Sequence, residues 1–169
     1  MASLRVLGFD CGTTSTGYGV VEADGSRCRV LDFGVIRTRS RMTFAQRLKA
    51  IHEEAEKLLK RFTPDSVAIE EVFQAFNVKS AMHLSQVRGI ILLAAERARL
   101  PVREYSALTV KSSIVGYGRA EKHQVQQMVQ RLLGLARPPE PADASDALAV
   151  ALCHIHHEQA QRRAASSTR

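Results

Sequence analysis

The stretch that decides the fold is LRVLGFDCGTTSTGYGVVEADGSRCRVLDFGVI, residues 4–36. Its first seven residues are apolar and favour a β-strand that ends at Asp10, and the turn-forming CGTTSTG follows. GYGVVEA then resumes as a second strand. Asp24-Gly25 is a hairpin turn signal, after which CRVLDFGVI returns as a third strand. The stretch therefore predicts an antiparallel meander of three strands.

Helices and short strands alternate after the meander. Thr43 and Gln46 form a capping-box pattern that begins a helix, and Pro64 ends it. SVAIEEVF, residues 66–73, predicts a fourth strand with two acids near its end, and residues 77–100 predict a long helix with a broad apolar face. The remaining elements are a strand at VREY, a short helix or turn at SALTVKSSIVG, and helices at AEKHQVQQMVQRLLG and DASDALAVALCHIHHEQAQRR. This order predicts an α/β protein in which helices flank a mixed five-stranded sheet.

Length and composition indicate one globular domain. With 169 residues, 45% of them hydrophobic, the chain can bury a core without disulfides. We expect residues 1–160 to form this domain and residues 161–169 to be a short, basic, disordered tail. The chain shows neither a signal core nor an apolar run of about 18 residues, so we expect a soluble, cytoplasmic protein with no membrane partner. The scattered Cys11, Cys28 and Cys153 are expected to be reduced thiols.

The charge of the chain suits a polyanionic partner. Twenty-four Lys and Arg residues against seventeen Asp and Glu residues give a formal net charge of +7. No acid lies between Asp32 and Glu53, whereas several basic residues do; the three that we take as candidate DNA contacts are Arg37, Arg39 and Arg41. Charge alone does not exclude the alternative of an ordinary basic surface that binds no polyanion.

Four acids stand where strands and a helix begin or end. Asp10 ends the first predicted strand, Glu70 lies near the end of the fourth, and Asp143 and Asp146 are three residues apart at the start of the last helix. Such positions converge at the carboxyl edge of an open sheet, although each acid alone is an ordinary turn or first-turn residue. Clustered carboxylates need cations, and oxygen ligands select Mg²⁺ or Mn²⁺. Two such ions about 3.5–4 Å apart form the usual site for phosphodiester hydrolysis.

The histidines and Cys11 are weaker candidates for metal ligands than the acids. His154 lies on the same helix face as Asp143 but about 16 Å further along the axis, so it cannot share a metal with it. We expect the histidines His154, His156 and His157 to lie on a solvated helix end. Cys11 is expected to be a small buried turn residue rather than a soft metal ligand.

Four collinear segments resemble the RuvC family of Holliday-junction resolvases in order and spacing, over about residues 4–158. They are GFDCGTTSTGYGVV, VAIEEVFQAFN, LTVKSSIVGYGRAEKHQVQQMV and ADASDALAVALCH. The resemblance implies an RNase H-like fold, a homodimer, and Mg²⁺-dependent symmetrical nicking of four-way DNA junctions. It also implies functional cooperation with the RuvA–RuvB branch-migration complex. The helix at residues 77–100 is our candidate dimer interface.

The resemblance also assigns roles to residues. Lys111 and Lys122 match basic residues near the scissile phosphate, with Lys122 counted among the catalytic residues, and Phe73 matches an aromatic near the junction crossover. Strand alternation alone does not choose between Glu70 and Glu71, and the match selects Glu70. Cys11 stands where the family usually has proline, which relaxes the turn. The catalytic, metal-binding acids fall on Asp10, Glu70, Asp143 and Asp146.

Three alternatives remain open. The DCGTT piece also resembles the phosphate loop of actin, sugar-kinase and heat-shock-chaperone ATPases, which need two such domains where this chain has room for one. RuvX/YqgF-like nucleases share the fold and act on RNA, but the LTVK and GRAEK segments favour the resolvase. A non-catalytic junction-binding protein is the third alternative, and the presence of all four acids argues against it.

Overall fold

A computed structural model of the chain describes residues 3–71 and 77–167. Within them, no helix is long and apolar enough to cross a membrane. The strands are β1 (Leu4–Asp10), β2 (Ser15–Asp24), β3 (Arg27–Arg37), β4 (Ser66–Glu70) and β5 (Val102–Tyr105). The helices are α1 (Phe44–Phe62), α2 (Val78–Arg97), α3 (Ala107–Val115), α4 (Lys122–Leu132) and α5 (Ala142–Ser167).

The five strands form one mixed sheet in the order β3-β2-β1-β4-β5. The pairs β1–β2 and β2–β3 are antiparallel, whereas β1–β4 and β4–β5 are parallel. The meander and the mixed five-stranded sheet flanked by helices are thus confirmed. One edge of the sheet carries the last residues of β1, β3 and β4 and the first residue of β2. We call it the site edge.

Helices α1 and α2 cover one face of the sheet. The Thr43 side chain accepts a hydrogen bond from the Gln46 backbone N–H, and the Gln46 side chain accepts one from Thr43, which confirms the predicted capping box. Apolar residues of both helices pack on the β1, β2 and β4 side chains that point to this face, and Phe9, Ile69 and Ile51 are fully buried there. This core holds the ends of β1 and β4 in fixed positions.

Helix α5 lies unusually close to the opposite face because the strands carry glycine there. A Cβ at Gly17 would lie 2.0 Å from the carbonyl oxygen of Asp143, and one at Gly8 would lie 2.3 Å from that of Ala147. Only glycine allows backbone to approach backbone so closely. The glycines of β1 and β2 therefore fix how near the first turns of α5 come to the site edge.

Helix α5 continues to Ser167, so residues 161–167, which the sequence predicted as part of a disordered tail, are helical in the structure. The segment QRRAASS contains no glycine or proline to end a helix. In addition, the hydroxyls of Ser166 and Ser167 donate to the carbonyl oxygen of Arg163.

His154 contradicts the expectation of a solvated helix end. It is 2% exposed, and its ring nitrogens lie 2.8 Å from the Tyr105 hydroxyl and 2.9 Å from the Ser66 hydroxyl. Its position on the face of α5 that lies on the sheet buries it over β4 and β5. His156 is half-buried against Ser113, and only His157 is exposed as expected.

Candidate active site

Three of the four predicted acids meet at the site edge. Carboxylate oxygens of Asp10, Asp143 and Asp146 lie within 4.8 Å of one another. Strand alternation explains the direction of Asp10: Gly8 faces α5, so Asp10, two residues later, faces α5 as well. Asp143 and Asp146, three residues apart, lie in the first turns of the helix that Gly8 and Gly17 bring down onto the strands.

Glu70 lies beside this cluster as the last residue of β4. Ala68 belongs to the core under α5, so Glu70 lies on the same face. It lines a cavity of about 560 Å³ together with Asp10, and a second of about 240 Å³ together with Asp146. The predicted strand is confirmed over residues 66–70, and its last two residues, 72 and 73, lie outside the described residues. Glu71 is exposed just beyond it, and its backbone N–H donates to the Tyr105 carbonyl oxygen at 2.9 Å.

Burial and nearby negative charge raise the pKa of three of the acids, Asp10, Glu70 and Asp146. Burial raises the pKa of Asp10 to about 8, and repulsion from Asp146, Glu70 and Asp143 adds to the shift. Burial also raises the pKa of Glu70 and of Asp146. A divalent cation would favour the ionised forms, and a set of carboxylate oxygens is the donor set that Mg²⁺ prefers. The residues present therefore fit a hard divalent metal ion.

Both lysines singled out from the sequence lie next to the acids. The Lys122 Nζ, on the first residue of α4, lies 2.5 Å from the Asp146 Oδ2. Lys111, on α3, lines both cavities that Glu70 lines, and its charge lowers the pKa of Glu70 against the effect of burial. The site edge thus combines an acidic cluster with two amines able to bind a phosphate.

The sequence reasoning did not identify Ser15. Its hydroxyl donates a hydrogen bond to the Asp143 Oδ2 at 2.5 Å. Ser15 stands two residues before Gly17 on the same face of β2, and Gly17 lies against the Asp143 backbone. The sequence signal that points to Ser15 is its place two residues before a glycine, on the same face of the same strand.

Cys11 is a half-buried free thiol in the turn after β1. Burial and the neighbouring Asp10 raise its pKa to about 12, so the thiolate is strongly disfavoured. This agrees with the expectation of a turn residue and disfavours a soft metal ligand.

The predicted arginines lie on a surface that begins at the site edge. Arg37 pairs with Ser15 in the β2–β3 ladder, which places it at this edge, and it is exposed. Arg39 and Arg41 are also exposed and line a cavity with Lys49 of α1, away from the acids. We call Arg37, Arg39, Arg41 and Lys49 the basic surface.

The remaining predictions concern Phe73 and α2. Phe73 lies outside the described residues. On α2, Val87 and Ile91 are buried against α1 and the sheet, whereas Met82 is 59% exposed and Leu93 is 53% exposed. A Cβ at Gly89, between them on the exposed side, would meet no heavy atom within 4 Å. The helix is therefore half core and half open surface.

Comparisons with known proteins agree with the sequence resemblance. The family model described as crossover junction endodeoxyribonuclease RuvC matches residues 6–154. A relative of that description from Acidobacterium capsulatum is 52% identical over 163 residues, which are 92% of this chain and 95% of the relative. Another from Syntrophomonas wolfei is 47% identical over 153 residues, which are 90% of this chain and 89% of the relative.

Solved structures show the same fold. The structure described as T. thermophilus RuvC in complex with Holliday junction substrate has a TM-score of 0.89 at 34% identity, covering 94% of this chain and 96% of that chain. The yeast mitochondrial Holliday junction resolvase Ydc2 shares the fold at 15% identity with a TM-score of 0.68, covering 94% of this chain and 81% of that chain. The expected RNase H-like fold is confirmed by these likenesses.

Proposed function

The chain belongs to the RuvC family of crossover junction endodeoxyribonucleases, and we propose that it resolves four-way DNA junctions by metal-dependent hydrolysis of phosphodiester bonds during recombination and repair. The observation that carries this proposal is the acid cluster, in which oxygens from β1 and α5 lie within 4.8 Å of one another beside Lys122. A protein that only binds junctions has no need for mutually repelling, half-buried acids. The cluster therefore supports the enzyme over the non-catalytic alternative.

The metal ligands in this proposal are Asp10, Glu70, Asp143 and Asp146. Their all-oxygen donor set favours two Mg²⁺ ions per site, with Mn²⁺ as a substitute. When bound, such ions supply an activated water molecule and stabilise the leaving oxygen. The protein itself contributes the rigid placement of Asp10 and Glu70 at the ends of two paired strands, and of the other two acids on a helix that glycine contacts hold down.

The basic residues bind and orient the DNA in this proposal. Lys111 and Lys122 lie at the acids, so their charges attract the phosphate to be cut. Lys122 already pairs with Asp146, and a phosphate is a second anion within reach of the same amine. Arg37, Arg39 and Arg41 continue away from the site edge and suit contacts to the backbone of a duplex arm.

We further propose a homodimer, because symmetrical nicking of two equivalent strands needs two equivalent sites. The exposed side of α2 supports this proposal, since Met82 and Leu93 present apolar surface on either side of the small Gly89. Leu93→Glu is expected to give monomers in analytical ultracentrifugation. Leu132→Glu, on an exposed leucine of α4, is the matched control and should stay dimeric. Monomeric parent protein that still makes paired nicks would contradict the dimer.

The family resemblance also leads us to propose cooperation with the RuvA–RuvB branch-migration complex. Adding that complex to a junction-cleavage reaction should raise the rate of paired nicking. An unchanged rate on a junction that must migrate before cleavage would contradict this partnership.

Incubation with a synthetic four-way junction tests the proposed activity. With Mg²⁺ we expect paired nicks at symmetrical positions on the junction and little cleavage of a linear duplex or an RNA duplex of the same sequence. EDTA and the Asp10→Asn variant should each abolish cleavage, and the variant should retain junction binding in a gel-shift assay. Cleavage of the RNA duplex alone would favour the RuvX-like alternative, whereas binding without cleavage in any divalent metal would favour the non-catalytic one.

A further inference from the structure

We propose that Ser15 is a positioning residue: its hydroxyl orients the Asp143 carboxylate so that one oxygen stays available to a metal ion. This inference rests on the proposed metal-dependent function. It assigns a role to a residue that would touch neither the metal nor the DNA.

The contact itself is short and has one direction. The Ser15 hydroxyl lies 2.5 Å from the Asp143 Oδ2, and an ionised carboxylate can only accept, so the serine is the donor. A hydrogen bond to a charged acceptor is stronger than one between neutral groups. With Oδ2 engaged, rotation of the Asp143 side chain is restricted, and its other oxygen remains free to bind a cation.

The backbone around Ser15 is fixed before any ligand binds. The fully buried Thr16 donates from its hydroxyl to the Gly12 carbonyl oxygen at 2.7 Å, which closes the turn that precedes β2. On the other side, the Thr38 backbone N–H donates to the Thr14 carbonyl oxygen at 3.0 Å. Ser15 is therefore held between two anchored neighbours, as a group that orients a metal ligand should be.

Gly17 completes the arrangement from the same strand. It lies directly against the Asp143 backbone, while Ser15, two residues earlier on that face, reaches the Asp143 side chain. One short segment of β2 thus fixes both the main chain and the carboxylate of the same acid. A serine that merely filled surface space would not need this register.

The second acid of α5 is held differently. Asp146 pairs with Lys122, whose positive charge attracts phosphate but also opposes a nearby divalent cation. Ser15 supplies a neutral donor, so it can orient Asp143 without repelling the metal. This difference explains why a hydroxyl is better suited than an amine at the Asp143 position.

The effect of removing the hydroxyl should appear in the metal requirement. Loss of a group that orients a metal ligand typically lowers metal affinity or activity by about 10- to 100-fold. For Ser15→Ala we therefore expect the half-saturating Mg²⁺ concentration for junction cleavage to rise about tenfold or more. Stabilisation of the DNA-free protein by added Mn²⁺, measured by thermal denaturation, should shrink in parallel. Junction binding in EDTA should stay at the parent level.

Two further variants make the test specific. Ser15→Thr keeps the hydroxyl and should restore most of the metal affinity, whereas Ser26→Ala removes an exposed serine in the turn between β2 and β3, far along β2 from Ser15, and should match the parent. Melting curves in EDTA show that each variant folds. The inference is overturned if Ser15→Ala matches Ser26→Ala in both metal readouts, or if Ser15→Thr is as impaired as Ser15→Ala.

The Asp10→Asn variant separates this inference from the function on which it rests. An Asp10→Asn protein that still cleaves junctions refutes the metal-dependent function itself. An inactive Asp10→Asn protein together with a Ser15→Ala protein of parental metal affinity refutes the role of Ser15 alone.

Discussion

Replacing Gly17 with alanine tests whether the contact between β2 and α5 sets the geometry of the acids. The new Cβ would lie 2.0 Å from the Asp143 carbonyl oxygen and 3.1 Å from the Ala144 nitrogen, whereas ordinary contacts begin near 3.4 Å. The first turn of α5 must therefore retreat by about 1 Å or more. A misplacement of about 1 Å in a catalytic constellation lowers the rate about 100-fold, and overpacking of this kind costs about 1–3 kcal/mol of folding stability.

The assay is single-turnover junction cleavage at saturating Mg²⁺, with thermal denaturation alongside. We expect Gly17→Ala to cleave about 100-fold more slowly, and Tm to fall by roughly 2–4 °C per kcal/mol for a chain of this size. Gly34→Ala is the matched control, because the three atoms nearest to its new Cβ belong to the Tyr18 side chain, at 2.9–3.0 Å, and a side chain can shift. Parental cleavage by Gly17→Ala would refute the argument that this glycine positions the acids.

Three further predictions follow from the site edge. Glu70→Gln should abolish Mg²⁺-dependent cleavage and the exposed Glu71→Gln should change it little; the reverse result would shift the β4 register by one residue. Because the folded state raises the pKa of Asp10 from 3.8 to about 8, its contribution to stability is present below pH 3.8 and is lost as pH rises to about 8. In EDTA, the parent should therefore lose stability over that range more steeply than Asp10→Asn; equal slopes in urea denaturation would contradict the shift. Lys122→Ala should slow cleavage or reduce the salt dependence of junction binding, and an unchanged rate and slope would mean that its amine does not meet the phosphate.

The parts of the fold that the sequence predicts well depend on local signals. Apolar, β-favouring runs and the Asp24-Gly25 turn signal define the meander over residues 4–36, and the Thr43 and Gln46 pair defines the start of α1. These signals involve neighbours within a few residues, so they can be recognised without knowledge of tertiary contacts. The positions of Asp10 and Glu70 at strand ends follow from the same signals.

Small residues in the strands provide a sequence signal that distinguishes Glu70 from Glu71, which strand alternation alone does not. Gly8 on β1, Gly17 on β2 and Ala68 on β4 all face α5, whereas Val67 and Ile69 face the opposite core. Small residues at alternate positions of adjacent strands indicate a face on which a helix packs closely. Counting two residues on from Ala68 selects Glu70 without any family resemblance.

The contacts that the sequence could not predict join distant segments. Ser15 and Asp143 are 128 residues apart, and the pairing of Lys122 with Asp146 depends on how α4 docks beside α5. The burial of His154 has the same origin, because it depends on where the helix lies over β4 and β5. Periodicity tells which face of a helix is apolar, but not which strand lies beneath each turn.

The stability of the candidate metal site comes from the middle of α5 rather than from the acids. Burial and repulsion from the neighbouring acids together raise the pKa of Asp10, so bringing these carboxylates together works against folding. Apart from the half-buried Asp146, residues 144–155 of the same helix are all buried, and Ala147 and Ala151 lie against the backbone at Gly8. In the parent protein, a helix packed so tightly over three turns loses buried contacts if its first turn withdraws, and this loss opposes the repulsion between the acids. The glycine and alanine contacts therefore hold the acids together, and a bound cation is what makes that arrangement favourable.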